Sequence, residues 1–388
     1  MKKVKKLIII VLISIFIILG ILFHIQNNRN KPAESDSKSA NQNEDTSVSK
    51  EESNSKEPIS EKNFYKVIYC VEKYVNKDYI FIPLNIKVNS GISVDKYLVY
   101  GYFADKNYNI IENMYLYVNL DNMNKTFSIQ KIKDNDIDFD TIEIENDEKD
   151  IEKKENNSFE NLFIDESYIV KKWFNNLKMN LILRSEYVYE NLYEEYKKAK
   201  FSDINTFNEY IKDNTEKYKK MDILKYTREE KDGNIRYTFI NNYYDSYVLT
   251  IGINDFKQSI MLDNYTIPTE DMIKQYNKAV INKKIYTNTE NFINMINNKD
   301  YESAYKILNS EYREENFSTL DEFKKYIQEN FYEYNILRTK PNIVEGDEGE
   351  YMWTIIIRDS VALAANEKEI TIVMILGEDM NYTIAIKD

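Results

Sequence analysis

Histidine, cysteine, glycine and proline are nearly missing from this 388-residue chain, which has one His, one Cys, 8 Gly and 5 Pro. With His24 as its only imidazole, the chain cannot assemble a Ser-His-Asp triad, a Cys-His pair or a His-ligated metal site beyond that residue. Cys70, equally alone, excludes an intrachain disulfide framework and a thiolate zinc cluster. So few glycines cannot build a phosphate-cradling loop, and neither G-x-x-x-x-G-K-[ST] nor G-x-G-x-x-G occurs. What the chain does have is aromatic and charged: 33 Tyr, 18 Phe, 30% Asp, Glu, Lys and Arg, and a net charge of −13. At about 100–200 residues per domain, its length allows two or three domains.

The long apolar run is at the N-terminus. From Leu7 to Phe23 only Ser14 and Gly20 interrupt the apolar side chains. As a helix this run is about 26 Å long, near the lower limit for a hydrocarbon core. Lys2, Lys3, Lys5 and Lys6 precede it, so the positive-inside bias keeps residues 1–6 cytoplasmic and places the rest outside. A cleaved signal peptide would have an apolar stretch of about 7–15 residues followed closely by a small-x-small site. Here the nearest small cluster, Ser37 to Ala40, lies behind Arg29 and Lys31. The expectation is therefore an uncleaved transmembrane anchor over 7–25, with His24 a polar residue at its outer end. The protein is then single-pass in the cell membrane, contacts the lipid bilayer through Leu7 to Phe23, and has extracellular C-terminal domains.

Residues 26–62 are mostly Asn, Ser, Lys and Glu, too polar to offset chain entropy by burial, and read as a disordered tether. A second polar stretch, 134–160, holds twelve acids against Lys149, Lys153 and Lys154. Its alternation Asp134, Asp136, Asp138, Asp140 suggests a calcium loop, but an EF-hand needs Gly at the sixth position, where Phe139 stands. It reads as an acidic linker. Between the two, residues 63–133 read as a small β-rich domain. Strands are expected over Tyr79 to Val88, Lys96 to Ala104, Asn113 to Leu120 and Thr126 to Ile132, preceded by a helix near Lys62 to Asn76. Cys70 falls in that helix and reads as a packing residue.

The most specific pattern is a repeat at an offset of 116. Leu192, Glu195, Tyr196, Phe201, Ser202, Phe207, Tyr210, Ile211 and Asn214 recur as Leu308, Glu311, Tyr312, Phe317, Ser318, Phe323, Tyr326, Ile327 and Asn330. Gly233 likewise recurs as Gly349, and Tyr218 as Tyr334. In the second copy, helical periodicity runs over Asn288 to Asn297 and Asp300 to Tyr312. Ser318 reads as an N-cap with Asp321 three residues on, and strands follow at Glu350 to Arg358, Lys368 to Leu376 and Asn381 to Ile386. The first copy repeats this with helices over Tyr187 to Lys197 and Asn205 to Asn214, then strands near Ile235 to Ile240, Tyr247 to Ile253 and Ser259 to Ile267. Helices followed by an antiparallel sheet give an α+β class. The copies span 161–268 and 269–388.

The runs Tyr301 to Leu308, Glu311-Tyr312-Arg313, Asn316-Phe317-Ser318 and Phe323 to Ile327 resemble nuclear transport factor two-like (cystatin-like) domains of Gram-positive single-pass membrane proteins. The resemblance implies two tandem cones, each a curved antiparallel sheet around helices, behind the transmembrane helix and the small mostly-β domain. It also implies a layout similar to scaffold proteins of conjugative transfer machines. The motif residues are those that pack helices, so the resemblance marks fold and leaves function to the site.

Candidate chemistry is thin. Glu195 and Glu311 are carboxylates common to both copies and could serve as general bases, but each sits beside a repeated Tyr at a helix end, where capping or pairing is the ordinary role. Ser303 and Lys306 match S-x-x-K without the K-T-G partner of serine acyl-enzymes. Trp173, Trp353 and most tyrosines fall at core spacing. No catalytic, cofactor-binding or metal-ligating residue is assigned, and no enzyme activity is expected. The function expected is a non-catalytic envelope scaffold that binds an envelope protein or itself. The alternatives are a component of a conjugative transfer or secretion apparatus, an accessory protein of cell-wall assembly, or, last, a carboxylate-dependent enzyme. Nucleic acid is disfavoured as a partner because the exported part, without the four N-terminal lysines, is more acidic still.

Overall fold

Among the described residues, one or more helices followed by an antiparallel meander occur three times. The computed structural model describes residues 61–75, 78–90, 94–132, 139, 157–158, 166–253, 256–346, 349–360 and 366–387. These all fall in one unit, Lys56–Asp388.

In the first module, helix α1 (Glu61–Val75) precedes strands β1 (Ile80–Ser90), β2 (Val94–Ala104), β3 (Ile110–Asp121) and β4 (Thr126–Ile132). A short β5 (Asn157–Ser158) adds to β4. In the second, helices α2 (Glu166–Leu183), α3 (Ser185–Glu190), α4 (Glu194–Lys200) and α5 (Ile204–Lys220) precede β6 (Ile223–Lys231), β7 (Asn234–Asn241), β8 (Ser246–Gly252) and β9 (Gln258–Met261). The third has α6 (Glu270–Lys278), α7 (Ile281–Asn297), α8 (Tyr301–Lys306), α9 (Ser310–Asn316) and α10 (Leu320–Asn330). Its sheet is β10 (Asn335–Glu345), β11 (Glu350–Asp359), β12 (Glu367–Leu376) and β13 (Tyr382–Lys387). Every sheet is ordered as its strands come in sequence, as short connections dictate.

The expected architecture needs correcting in two respects. No described helix is long and apolar enough to cross a membrane, and the expected span Leu7 to Phe23 lies outside the described residues, as do the tether up to residue 60 and the acids from Asp134 to Glu160. Nor do the described residues form a small β domain followed by two tandem cones. They form three antiparallel sheets, and the first shares its core with the second module. Phe64 on α1 stacks on Trp173 of α2 with ring centroids 4.0 Å apart and planes 11° from parallel. That contact is worth about 0.5–1.5 kcal/mol beyond the area it buries. The other face of the first sheet is covered as well, since Ile82, Leu84, Tyr102 and Ala104 pack against Met179, Leu183 and Tyr187. Tyr102 donates to Asn180 Oδ1 at 2.9 Å, and Tyr187 to the Leu84 carbonyl at 2.7 Å. Gly101 is required in β2 because a Cβ there would lie 2.4 Å from the Ile82 carbonyl oxygen and 2.7 Å from the Phe81 ring.

The second and third modules share backbone detail at the 116-residue offset. Leu192 and Leu308, equivalent at that offset, each bridge in parallel to the last strand of their own sheet, at Ile260 of β9 and Ile384 of β13. Gly233 and Gly349 both have positive φ, +73° and +79°. Gly233 follows Asp232, also at positive φ, in a two-residue hairpin turn between β6 and β7.

Candidate functional site

The second and third modules meet around a short turn, Asn298-Lys299-Asp300, between α7 and α8. It forms because α7 ends at Asn297 and Asp300 caps α8, its carboxylate accepting from the Ser303 N–H. All three of its side chains are used, two turned into the protein and one toward a cleft.

The Asp300 side chain reaches Lys200, the last residue of α4, with Nζ 2.7 Å from its Oδ2. Lys200 also holds Asp263 at 2.5 Å, and the three side chains are 1%, 1% and 8% exposed for Lys200, Asp263 and Asp300. Asp263 is further held by the Tyr196 hydroxyl at 2.8 Å, the Thr266 hydroxyl at 3.0 Å and the N–H groups of Tyr265 and Thr266. The Tyr265 hydroxyl donates to Asp300. Burial alone would push the Lys200 ammonium pKa down, but Asp263 and Asp300 together overcome it and leave the pKa raised. Burial likewise works against ionised Asp300, yet Lys200 and the bonds from Ser303 hold its pKa below the ordinary value.

Alongside lies a second buried ammonium. Lys217 of α5 pairs with Asp245 at 3.0 Å, both fully buried, and donates to Asn298 Oδ1 at 2.6 Å. Here burial outweighs the single carboxylate, and the pKa of Lys217 is lowered. The two lysines and three aspartates carry one net negative charge. Asp245 Oδ1 and the hydroxyls of Tyr210, Tyr218 and Tyr247 are buried without hydrogen-bond partners among the described residues.

Beside the turn, Ile296, Lys299, Tyr301, Phe331, Tyr332 and Glu333 line a cleft of about 260 Å³. Lys299 spans back to the Asp213 carbonyl on α5 at 2.7 Å, and Asn214 donates to the Asn298 carbonyl at 2.9 Å. Tyr243 and Tyr334 meet with ring centroids 4.8 Å apart. The junction is therefore charged at its centre and aromatic at its edge.

Comparison with protein-family models, with curated proteins and with solved structures gives no match. None of the three names a nuclear transport factor two-like or cystatin-like family.

The carboxylates singled out from sequence lie elsewhere. Glu195 and Glu311 are exposed, and Glu195 accepts from the hydroxyl of its neighbour Tyr193. Lys306 forms an exposed helical pair with Glu302, and Ser303 is occupied by the Asp300 cap. Cys70, Trp173 and Trp353 are buried in the cores. Sequence reasoning missed Lys200, Lys217, Asp245, Asp263 and Asp300. One signal was available: Lys200 sits inside the repeated run from Tyr196 to Phe201, at a position where the other copy has Asn316.

Proposed function

We propose that the chain is a non-catalytic binding scaffold, held at a membrane by its N-terminal apolar run, with modules that present fixed surfaces to an envelope partner. The observation that carries this reading is where the protein puts its buried charge. Lys200, Asp263 and Asp300 are committed to each other and to joining two modules, whereas the carboxylates repeated in both copies stand in solvent. A general base works near substrate, in a setting that shifts its pKa toward the operating pH. Surface carboxylates are poor material for that role, and a rigid junction suits a platform.

The test is a Glu195→Gln, Glu311→Gln double variant compared with Lys200→Met by crosslinking mass spectrometry in intact cells. The scaffold reading expects the double variant to keep the wild-type set of crosslinked envelope partners and Lys200→Met to lose it. Loss of a cellular phenotype in the double variant, with an unchanged melting temperature, would favour the enzyme.

A further inference from the structure

Lys299 stands at a position that ordinarily belongs to glycine. Helix α7 ends in a Schellman turn, with the Asp300 N–H on the Met295 carbonyl at 2.9 Å and the Lys299 N–H on the Ile296 carbonyl at 3.0 Å. The turn holds Lys299 at a φ of +55°, in the left-handed region that a Cβ disfavours. The second module has no such turn, because α2 runs on to Leu183, the residue equivalent to Lys299 at the 116-residue offset. A lysine kept in a strained conformation points to a use for its side chain. Its ammonium is pinned by the bond to the Asp213 carbonyl, which leaves two of its three N–H groups for the cleft it lines.

The rest of the cleft offers an apolar floor and a charge of the other sign. Ile327 and Phe331 are buried at its base. The Tyr332 ring is braced by Lys368, whose ammonium lies 5.0 Å from the ring centroid and donates to the Asn330 carbonyl. The Gln328 amide bonds the Tyr301 hydroxyl, and Glu333 is exposed at the rim. In the second module the equivalent corner is covered by the first sheet: Asn180, the counterpart of Ile296, accepts from the Tyr102 hydroxyl, and Leu183 packs against the same sheet. This corner of the fold therefore takes an aromatic side chain where a neighbouring module supplies one. In the third module it is a cleft of about 260 Å³. Pockets for drug-sized ligands begin at roughly 300 Å³, so the occupant is small.

We propose that this cleft binds a free α-amino acid with an aromatic or large apolar side chain. The ligand carboxylate pairs with Lys299, its ammonium with Glu333, and its side chain lies on Ile327, Phe331 and Tyr332. Only a zwitterion uses both charges. A phosphate group would meet the carboxylates of Asp213 and Glu333 beside a single ammonium, and a peptide end presents only one of the two charges. The proposal goes beyond the scaffold reading and does not depend on it, since the partner crosslinks and the ligand are measured separately.

The experiment is isothermal titration of the full chain in detergent with L-phenylalanine. Saturable binding at one site per chain is expected. Lys299→Gly removes the ammonium and suits the positive φ, so the turn is kept; Glu333→Gln alters an exposed side chain. Each is expected to weaken L-phenylalanine at least about tenfold, roughly 1.4 kcal/mol. Phenylalaninamide lacks the carboxylate and stands in for the first residue of a peptide. It is expected to bind wild type about tenfold more weakly than L-phenylalanine does, and to bind Lys299→Gly as it binds wild type. Thermal melts of both variants check the fold, and Glu333→Gln carries the test if Lys299→Gly melts early. No saturable heat at millimolar L-phenylalanine, an affinity unchanged in folded variants, or phenylalaninamide binding wild type as tightly as L-phenylalanine overturns the proposal.

Discussion

Lys200 and Lys217 are both buried ammonium groups in one junction, yet they lean in opposite directions. Two carboxylates face Lys200 and raise its pKa against the pull of burial, whereas one carboxylate faces Lys217 and burial prevails. A buried charge is expensive unless it is paired, so removing one partner costs more than the pair itself contributes. Lys200→Met leaves Asp263 and Asp300 facing each other without a cation in a buried site. It is expected to destabilise the chain by about 3–5 kcal/mol, measured as a shift in urea midpoint at constant slope. A loss below about 1 kcal/mol, the scale of surface pairs such as Lys306 with Glu302, would show that the site is wetter than the structure has it.

The repeated helices show how local chemistry sets element ends. The N-cap expected at Ser318 is at Thr319, because the reciprocal partner is Glu322 rather than Asp321. The Thr319 hydroxyl accepts from the Glu322 N–H, and the Glu322 carboxylate accepts from the Thr319 N–H. Thr319→Ala is expected to cost about 1 kcal/mol, whereas Ser318→Ala, one residue outside the cap, leaves the thermal midpoint nearly unchanged. Four of the five strands of the first sheet, β1 to β4, were legible to within three residues, since Tyr, Ile, Val and Phe alternate there between Asn and Asp turns. Other elements were not legible. Helix α2 mixes Lys171, Lys172, Asn175 and Asn176 with its apolar residues because it packs in more than one direction, on Phe64 and on the outer face of the first sheet, and this blurs its amphipathic stripe. Strands β6 (ILKYTREEK) and β10 (NILRTKPNIVE) are rich in charged and polar residues and carry no sustained apolar alternation, so neither shows the pattern that marked β1 to β4. The continuous helix expected from Tyr187 to Lys197 is split at Leu192, whose backbone leaves the helix to bridge Ile260. The junction charges were hidden for a different reason: Lys200, Asp263 and Asp300 are far apart in sequence, and only tertiary folding brings them together.

At the scale of the whole molecule, the junction makes the stability of the second and third modules depend on pH with a defined sign. Asp300 has a folded pKa below its ordinary 3.8, so in the window just above the folded value the unfolded chain binds more protons than the folded one. Its stabilising contribution is therefore full above about pH 3.8 and is lost as pH falls through the folded value. Lys200, whose folded pKa is raised above 10.5, contributes fully below that ordinary value and loses its contribution as pH rises through the folded one. Lys217 runs the other way, because its folded pKa is lowered: the junction gains stability as pH rises from that lowered value toward 10.5. Comparison with Asp300→Asn, which cannot titrate at that position, isolates the contribution of the Asp300 carboxyl. The gap in unfolding free energy between wild type and Asp300→Asn is expected to be constant near neutrality and to narrow on acidification below pH 3.8. A gap that stays constant down to full acid denaturation would mean that Asp300 is not held ionised by Lys200, and the junction would then lose its role as the lock between the two modules.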